Sequence, residues 1–269
     1  MIDNQCLIYV LNKGFIKTEF VSPGDRVYTL GLDAKVSIEE VESIQSDFFY
    51  GKINVIDSGQ HNVNSTDSSL HLYTSEQYGV KYLKFLEIPA KTPDKEYRSS
   101  KYLPLLSTPF FAGKRNNSDQ ELEYIARMLV SEQYDISSFN SIVSRCTGED
   151  ALVLVDLLEF WLSDDPGKGW LGRAQVKARA HEIKNEYIAD EILKIACLAG
   201  YTSKKTPISN GYLIFINYES TPIPGSRPKN EKYYRQAYFG NLYDIKCKNR
   251  SILGISKGRC FYLPCASVL

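Results

Sequence analysis

"GWLGRAQVKARAHEI", Gly169–Ile183, decides how this chain is read. From Arg173 to His181 the odd positions are polar or basic (Arg173, Gln175, Lys177, Arg179, His181), and the even ones are small and apolar (Ala174, Val176, Ala178, Ala180). Successive side chains of a strand point to opposite faces. One face would therefore carry cations and hydrogen-bond donors, while the alanines and Val176 pack on helices. Ala, Gln, Lys and Arg are also good helix formers, but the alternation and the flanking glycines favour a strand. An open face of this kind suits the major groove of duplex DNA, where Arg and Lys reach guanine edges or phosphates and Gln reads adenine. Lys204 and Lys205 extend the positive field. The competing reading is a half-exposed edge strand in which lysines guard against aggregation.

Helical periodicity flanks this ribbon. Upstream, "TGEDALVLVDLLEFWLSDDPG" (147–167) has a Thr147 cap, Asp150 three residues on, an apolar body and a stop at Pro166-Gly167. Before it, "SDQELEYIARMLVSEQY" (118–134) sets Leu122, Ile125, Ala126, Leu129 and Val130 on one face behind a Ser118 cap with Glu121. Downstream, "NEYIADEILKIACLAG" (185–200) suits a helix ending at Gly200, and "GYLIFINYES" (211–220) returns to strand. Helix, hairpin, helix and strands make an α+β unit.

The two ends of the chain read as β. Short runs rich in Val, Ile and Tyr, "CLIYVL", "RVYTLG", "KVSIEEVESI", "KINVID" and "LHLYT", are broken by "SPGD", "SGQHN" and "STDSS". The tail "LYDIKCKNRSILGISKGRCFYLP" (242–264) is again β, with turns at "KNRS" and "SKGR". The predicted fold class is α+β, with an all-β domain built from the N- and C-terminal segments and an α+β domain inserted between them. Its parts are 1–112, 113–222 and 223–269. Insertion at an exposed turn is tolerated when the host's ends meet in space.

Composition narrows the function. With 269 residues and 43% hydrophobic content the chain buries a real core, and its apolar runs are too short for a membrane span. No basic start marks a signal peptide, so an intracellular protein of the cytoplasm or nucleus is expected, with no membrane partner. Six cysteines without a CxxC pair and three histidines argue against a zinc knuckle or a disulfide framework. The net charge of zero hides an asymmetry: residues 1–165 hold 15 Lys+Arg against 25 Asp+Glu, and residues 166–269 hold 17 against 7. Such a split suits a second half that faces a polyanion, or two halves that attract each other.

Several blocks resemble a known family. "YIARMLVSEQ" (124–133) and "LLEFWLSDDPGKGW" (157–170) look like degenerate copies of the LAGLIDADG motif of homing endonucleases, and "NEYIADEILKIACLAGY" (185–201) resembles the helix that follows it in intein-type enzymes. "VSPGDRVYTLG" (21–31) and "FGNLYDIKCKNRSILGISKGRCFYLPC" (239–265) resemble the opening and closing blocks of the Hint fold of inteins and hedgehog-type proteins. The resemblance implies an intein-like Hint scaffold carrying a LAGLIDADG-like domain whose first repeat is truncated.

It also implies sites. Glu132 and Asp164 fall at the motif's acidic position, where the family holds a divalent ion; two helices side by side would let them share Mg2+ and activate a water for phosphodiester hydrolysis. The partner would be double-stranded DNA. Cys6, Ser68, His71 and Cys265 would be vestiges of autoprocessing, although Cys6, running directly into "LIYVL", reads better as a small buried hydrophobe. Where an intein ends in His-Asn before a nucleophile, this chain has Leu263-Pro264-Cys265, so splicing is not expected. Arg127 and Glu159 stand where the motif has small residues, and an Arg127–Glu159 pair across the helix interface would accommodate them. The alternative to a nuclease is a domesticated, catalytically inactive descendant that acts as a structural or protein-interaction component, its acidic N-terminal half meeting the partner.

Overall fold

Segments from opposite ends of the chain pair with each other, and this pairing positions everything else. The computed structural model describes residues 1–33, 35–57, 62–66, 69–75, 79–84, 103–104, 114–131, 142–143, 145–162, 178–217 and 232–265. The chain packs as two units, Met1–Leu106 with Pro222–Leu269, and Ser107–Thr221, so the second interrupts the first.

In the first unit, β14 (Lys232–Lys246) pairs along its whole length with β6 (Ser43–Asp57), with Lys232 opposite Asp57 and Lys246 opposite Ser43. β1 (Ile2–Asp3) joins the other edge of β14, and β7 (Asn62–Ser65) joins β6. β15 (Ser251–Ser256) and β16 (Arg259–Pro264) form a hairpin that continues through β2 (Leu7–Val10) and β4 (Arg26–Leu30) to β5 (Val36–Glu40), with β3 (Gly14–Lys17) on β2. β8 (Leu70–Ser75) pairs with β9 (Gly79–Lys84) and β10 (Leu103–Pro104). All of these pairings are antiparallel.

The sequence explains the turns. "SKGR" closes β15 to β16 through Lys257 (φ 49°) and Gly258 (φ 76°), two left-handed residues whose twist matches a tight hairpin. Ile8, Val10, Val27, Ile245, Ile252, Phe261 and Leu263, drawn from both ends of the sequence, fill one core. Gly254 sits where β15 crosses β2: a Cβ there would lie 2.6 Å from the Leu7 carbonyl oxygen and against Leu263, so only glycine fits. "KVSIEEVESI", read from the sequence as one strand, is divided between β5 and β6, because Val41 turns into the core (1% exposed) with its N–H on Asp25 O.

In the second unit, α1 (Asp119–Ser131) and α2 (Gly148–Leu162) pack together, and α3 (Glu186–Leu198) packs on α2 and on the sheet β11 (Ala178–Ile183), β13 (Gly211–Asn217), β12 (Thr202–Ile208). Ser118 and Glu121 form a reciprocal box: Glu121 N donates to Ser118 Oγ (3.3 Å), and Ser118 N donates to Glu121 Oε2 (2.8 Å). Thr147 and Asp150 repeat it at α2. Asn185 caps α3, and Gly200 (φ 91°) ends it with Tyr201 N on Ala196 O and Gly200 N on Cys197 O, a Schellman close. No helix among the described residues is long and apolar enough to cross a membrane.

Candidate functional site

The alternating ribbon is a strand over its described part, Ala178–Ile183, but the faces at Ala180–Ile183 are the reverse of those expected. In β11, His181 (8% exposed) and Ile183 are buried, while Ala180 and Glu182 are exposed. The register carries this across the sheet: His181 lies opposite the buried Ile214, and Ala180 opposite Phe215, which is 38% exposed. His181 and Ile183 therefore face inward. The physical reason is Glu159 of α2, itself buried, whose Oε1 lies 3.0 Å from His181 Nε2. A buried carboxylate needs a polar partner; an alanine in the same place would offer none. His181 is thus not available to a nucleic-acid groove, which corrects its assignment to the open cationic row.

Glu159 does not meet Arg127 as expected. Arg127 pairs with Glu123 one turn back (2.7 Å) and lies over the Trp161 ring, 5.2 Å from its centroid.

Two further expected cations differ from each other. Lys204 is exposed on β12, opposite Phe215. Lys205 points to the helix side, where Nζ donates to Asp190 Oδ1 (2.5 Å) and Glu186 Oε1 (3.0 Å), and lies 4.9 Å from the centre of the Tyr212 ring. Burial opposes its charge, but the two carboxylates outweigh that and raise its pKa. Burial pushes Asp190 up to about 6, with Lys205 pulling the other way. Lys205 is therefore engaged within the unit, a second correction to the open row.

Arg179 occupies a β11 position opposite Ile216. Arg173, Gln175, Lys177, Glu132 and Asp164 lie outside the described residues. The helices that precede the two acids do start side by side. Arg115 N donates to Glu149 Oε2, and Asn116 N, Asn117 N and Asn117 Nδ2 all donate to the fully buried Asp150 carboxylate. Residues that lead into α1 thus close the first turn of α2, and the two helices begin together. Among the described residues no group of three or more His, Cys, Asp or Glu side chains is placed to hold a metal ion.

In the first unit the autoprocessing candidates are buried. Cys6 Sγ donates to Asp3 Oδ1 (3.2 Å), and its pKa stands well above the usual thiol value, through burial first and the Asp3 charge second. Asp3 also accepts from Asn64 Nδ2 (2.5 Å) and Gln5 N (3.0 Å). Cys265 is raised as well, by its hydrogen bond with Cys247 and by burial. Neither thiol is set up as a thiolate nucleophile. His71 is a position of β8 opposite Leu83, and Ser68 lies outside the described residues.

The sequence reading missed Ser69. Its Oγ accepts from Thr66 N (3.1 Å) and from the Met1 amino group (3.2 Å), whose pKa burial lowers. The signal was present as Thr66-x-x-Ser69, a spacing in which a serine closes its own turn.

No family model matches the chain, and no curated protein matches it. Among solved structures it is similar to a bacterial intein-like domain from Clostridium thermocellum, at 7% identity over 97% of this chain and 99% of that one, with a TM-score of 0.36. It is similar to a splice-inactive variant of the AceL NrdHF class 3 split intein, at 6% identity over 99% of this chain and 100% of that one, with a TM-score of 0.39. A variant of the Ssp DnaB mini-intein shares 9% identity over 99% of this chain and 98% of that one, with a TM-score of 0.37.

Proposed function

We propose that this chain is an intein-like scaffold that does not splice, and that its inserted α+β unit serves as an interaction component rather than as a reader of duplex DNA. The observation that carries the reading is the orientation of β11: His181 and Ile183 turn inward, and the outward side of the described strands presents Ala180, Glu182 and Phe215, with Lys204 beside them. A groove-reading surface needs cations and donors outward, since phosphate contacts supply most of the affinity. The order of sequence blocks that resemble the Hint fold supports the scaffold, and the buried, protonated Cys6 and Cys265 support the absence of splicing. Two measurements test it. Intact mass is expected to remain that of the full chain, and duplex DNA is expected to show no salt-dependent binding; a shortened chain or a steep salt slope overturns the proposal.

A second reading, metal-dependent cleavage, is favoured by one observation: α1 and α2 start side by side through the Asn117–Asp150 contacts, so both helices lead toward the positions of Glu132 and Asp164. In that case Glu132 and Asp164 would hold a divalent ion such as Mg2+, which activates a water for attack on phosphorus. Mg2+-dependent cutting of a duplex library that Asp164→Asn abolishes would establish it; no cutting on any substrate removes it.

A further inference from the structure

Two of the buried thiols meet. Cys247, just beyond the end of β14, and Cys265, just beyond β16, share a hydrogen bond through their sulfurs and belong to one core with Ile245, Ile252 and Leu263. The backbone brings them together. The Cys265 carbonyl oxygen accepts from Ile245 N (2.8 Å), its N–H donates to Arg250 O (3.1 Å), and its Sγ donates to Asn249 O (3.7 Å). These bonds reach Cys265 from both sides of Cys247, so the chain from 245 to 250 bends around Cys265 with Cys247 midway along the bend.

Two thiols in contact have two common chemistries, ligation of a metal ion and a disulfide. A metal site needs further ligands, and among the described residues no group of three or more His, Cys, Asp or Glu side chains is placed to supply them. A disulfide needs only the pair and an oxidant.

We propose that Cys247 and Cys265 form a reversible disulfide with oxidants of the peroxide class, stapling the β15–β16 hairpin to the end of β14. Cys247 is 6% exposed and Cys265 is 0% exposed, so the oxidant meets Cys247 first. The Cys247 sulfur attacks one oxygen of hydrogen peroxide, the O–O bond breaks, and a sulfenic acid and a water result. The Cys265 sulfur then attacks the sulfenic sulfur. The S–S bond forms, the S–O bond breaks, and the hydroxyl leaves as water with the Cys265 thiol proton. Peroxide is thereby reduced to water while the two thiols are oxidised to one disulfide. Because the sulfurs already touch, the second step is intramolecular and needs no search. The ring from 247 to 265 contains the whole of β15 and β16, and a dithiol reductant reopens it by exchange. Both cysteines belong to the first unit, so the proposal is independent of what the inserted unit does.

The test treats the native chain with hydrogen peroxide, alkylates the remaining thiols and maps the linked peptides by mass spectrometry. A Cys247–Cys265 link that dithiothreitol removes is expected. The oxidised chain is expected to melt about 5–10 °C above the reduced one, since ring closure restricts the unfolded chain. Cys265→Ala is expected to leave Cys247 as a sulfenic acid that dimedone labels, whereas Cys247→Ala leaves position 265 unlabelled. The wild-type mapping decides the matter even if either variant fails to fold. No link after prolonged oxidation, a link from either residue to Cys6, or a link that forms only in urea overturns the proposal. So does a Cys247–Cys265 link that leaves the melting temperature unchanged, because the hairpin is then not stapled.

Discussion

Glu159 of α2 and His181 of β11 lie 3.0 Å apart through Oε1 and Nε2, both buried. This contact fixes which side of the ribbon turns inward. Glu159→Ala removes an acceptor from a buried ring nitrogen and is expected to cost about 1–3 kcal/mol of unfolding free energy. In a double-mutant cycle with His181→Ala, the combined loss measured by urea unfolding is expected to fall short of the sum. Additive losses would show that the two side chains act separately.

The helix starts provide a graded comparison. Ser118 is an exposed cap, and Ser118→Ala is expected to cost about 1 kcal/mol. Asp150 is fully buried and accepts from Asn116 N, Asn117 N, Asn117 Nδ2 and Thr147 N, so Asp150→Ala leaves several donors without an acceptor and is expected to cost about 3 kcal/mol or more. Equal losses in chemical denaturation would contradict the role of Asp150 in tying α1 to α2.

Asp190 makes stability depend on pH. Its carboxyl is raised from 3.8 to about 6 in the folded chain by burial, against the pull of Lys205, so between those values the folded state holds more protons than the unfolded one. Its contribution to stability is therefore present at low pH and is lost as pH rises through about 6, by an amount on the order of 2 kcal/mol. Glu186, lowered chiefly by its hydrogen bond with Lys205, acts with the opposite sign, but it is largely exposed and its effect is screened. Asp190→Asn is expected to flatten the fall of the melting temperature between about pH 4 and pH 6. An unchanged slope would remove Asp190 as its source.

All six cysteines are buried thiols outside any disulfide. Ellman's reagent is expected to react slowly with the native chain and to reveal six thiols after denaturation. Fast labelling of Cys6 or Cys265 in the native state would mean that one of them is open and ionised.

The helices were legible because their signals are local. Ser118 with Glu121, Thr147 with Asp150, and Gly200 each satisfy backbone groups within a few residues, and each does so in the structure. The strand nature of β11 was legible from alternation as well. Its inward side was not, because periodicity divides residues into two sets without naming the buried one. The sequence favoured alanine as the packed set, yet Glu159, on another element, decided for His181. β6 was hard for a related reason. "SDFFYGK" exposes Phe48 and Tyr50, so no buried alternation marks that part of a strand that pairing with β14 holds along its full length.

The pairing of β6 with β14 has a bearing on how the polypeptide acquires its form during synthesis. Arg235 and Asn54, bonded across those strands, are 181 residues apart in the chain. A nascent chain emerging from the ribosome must hold its early strands unpaired until the later ones are translated, whereas the interrupting segment is continuous and is free to close first. The order of translation thus hands the inserted portion a head start, and leaves the exposed strand edges of the β portion in need of protection until the last hairpin arrives.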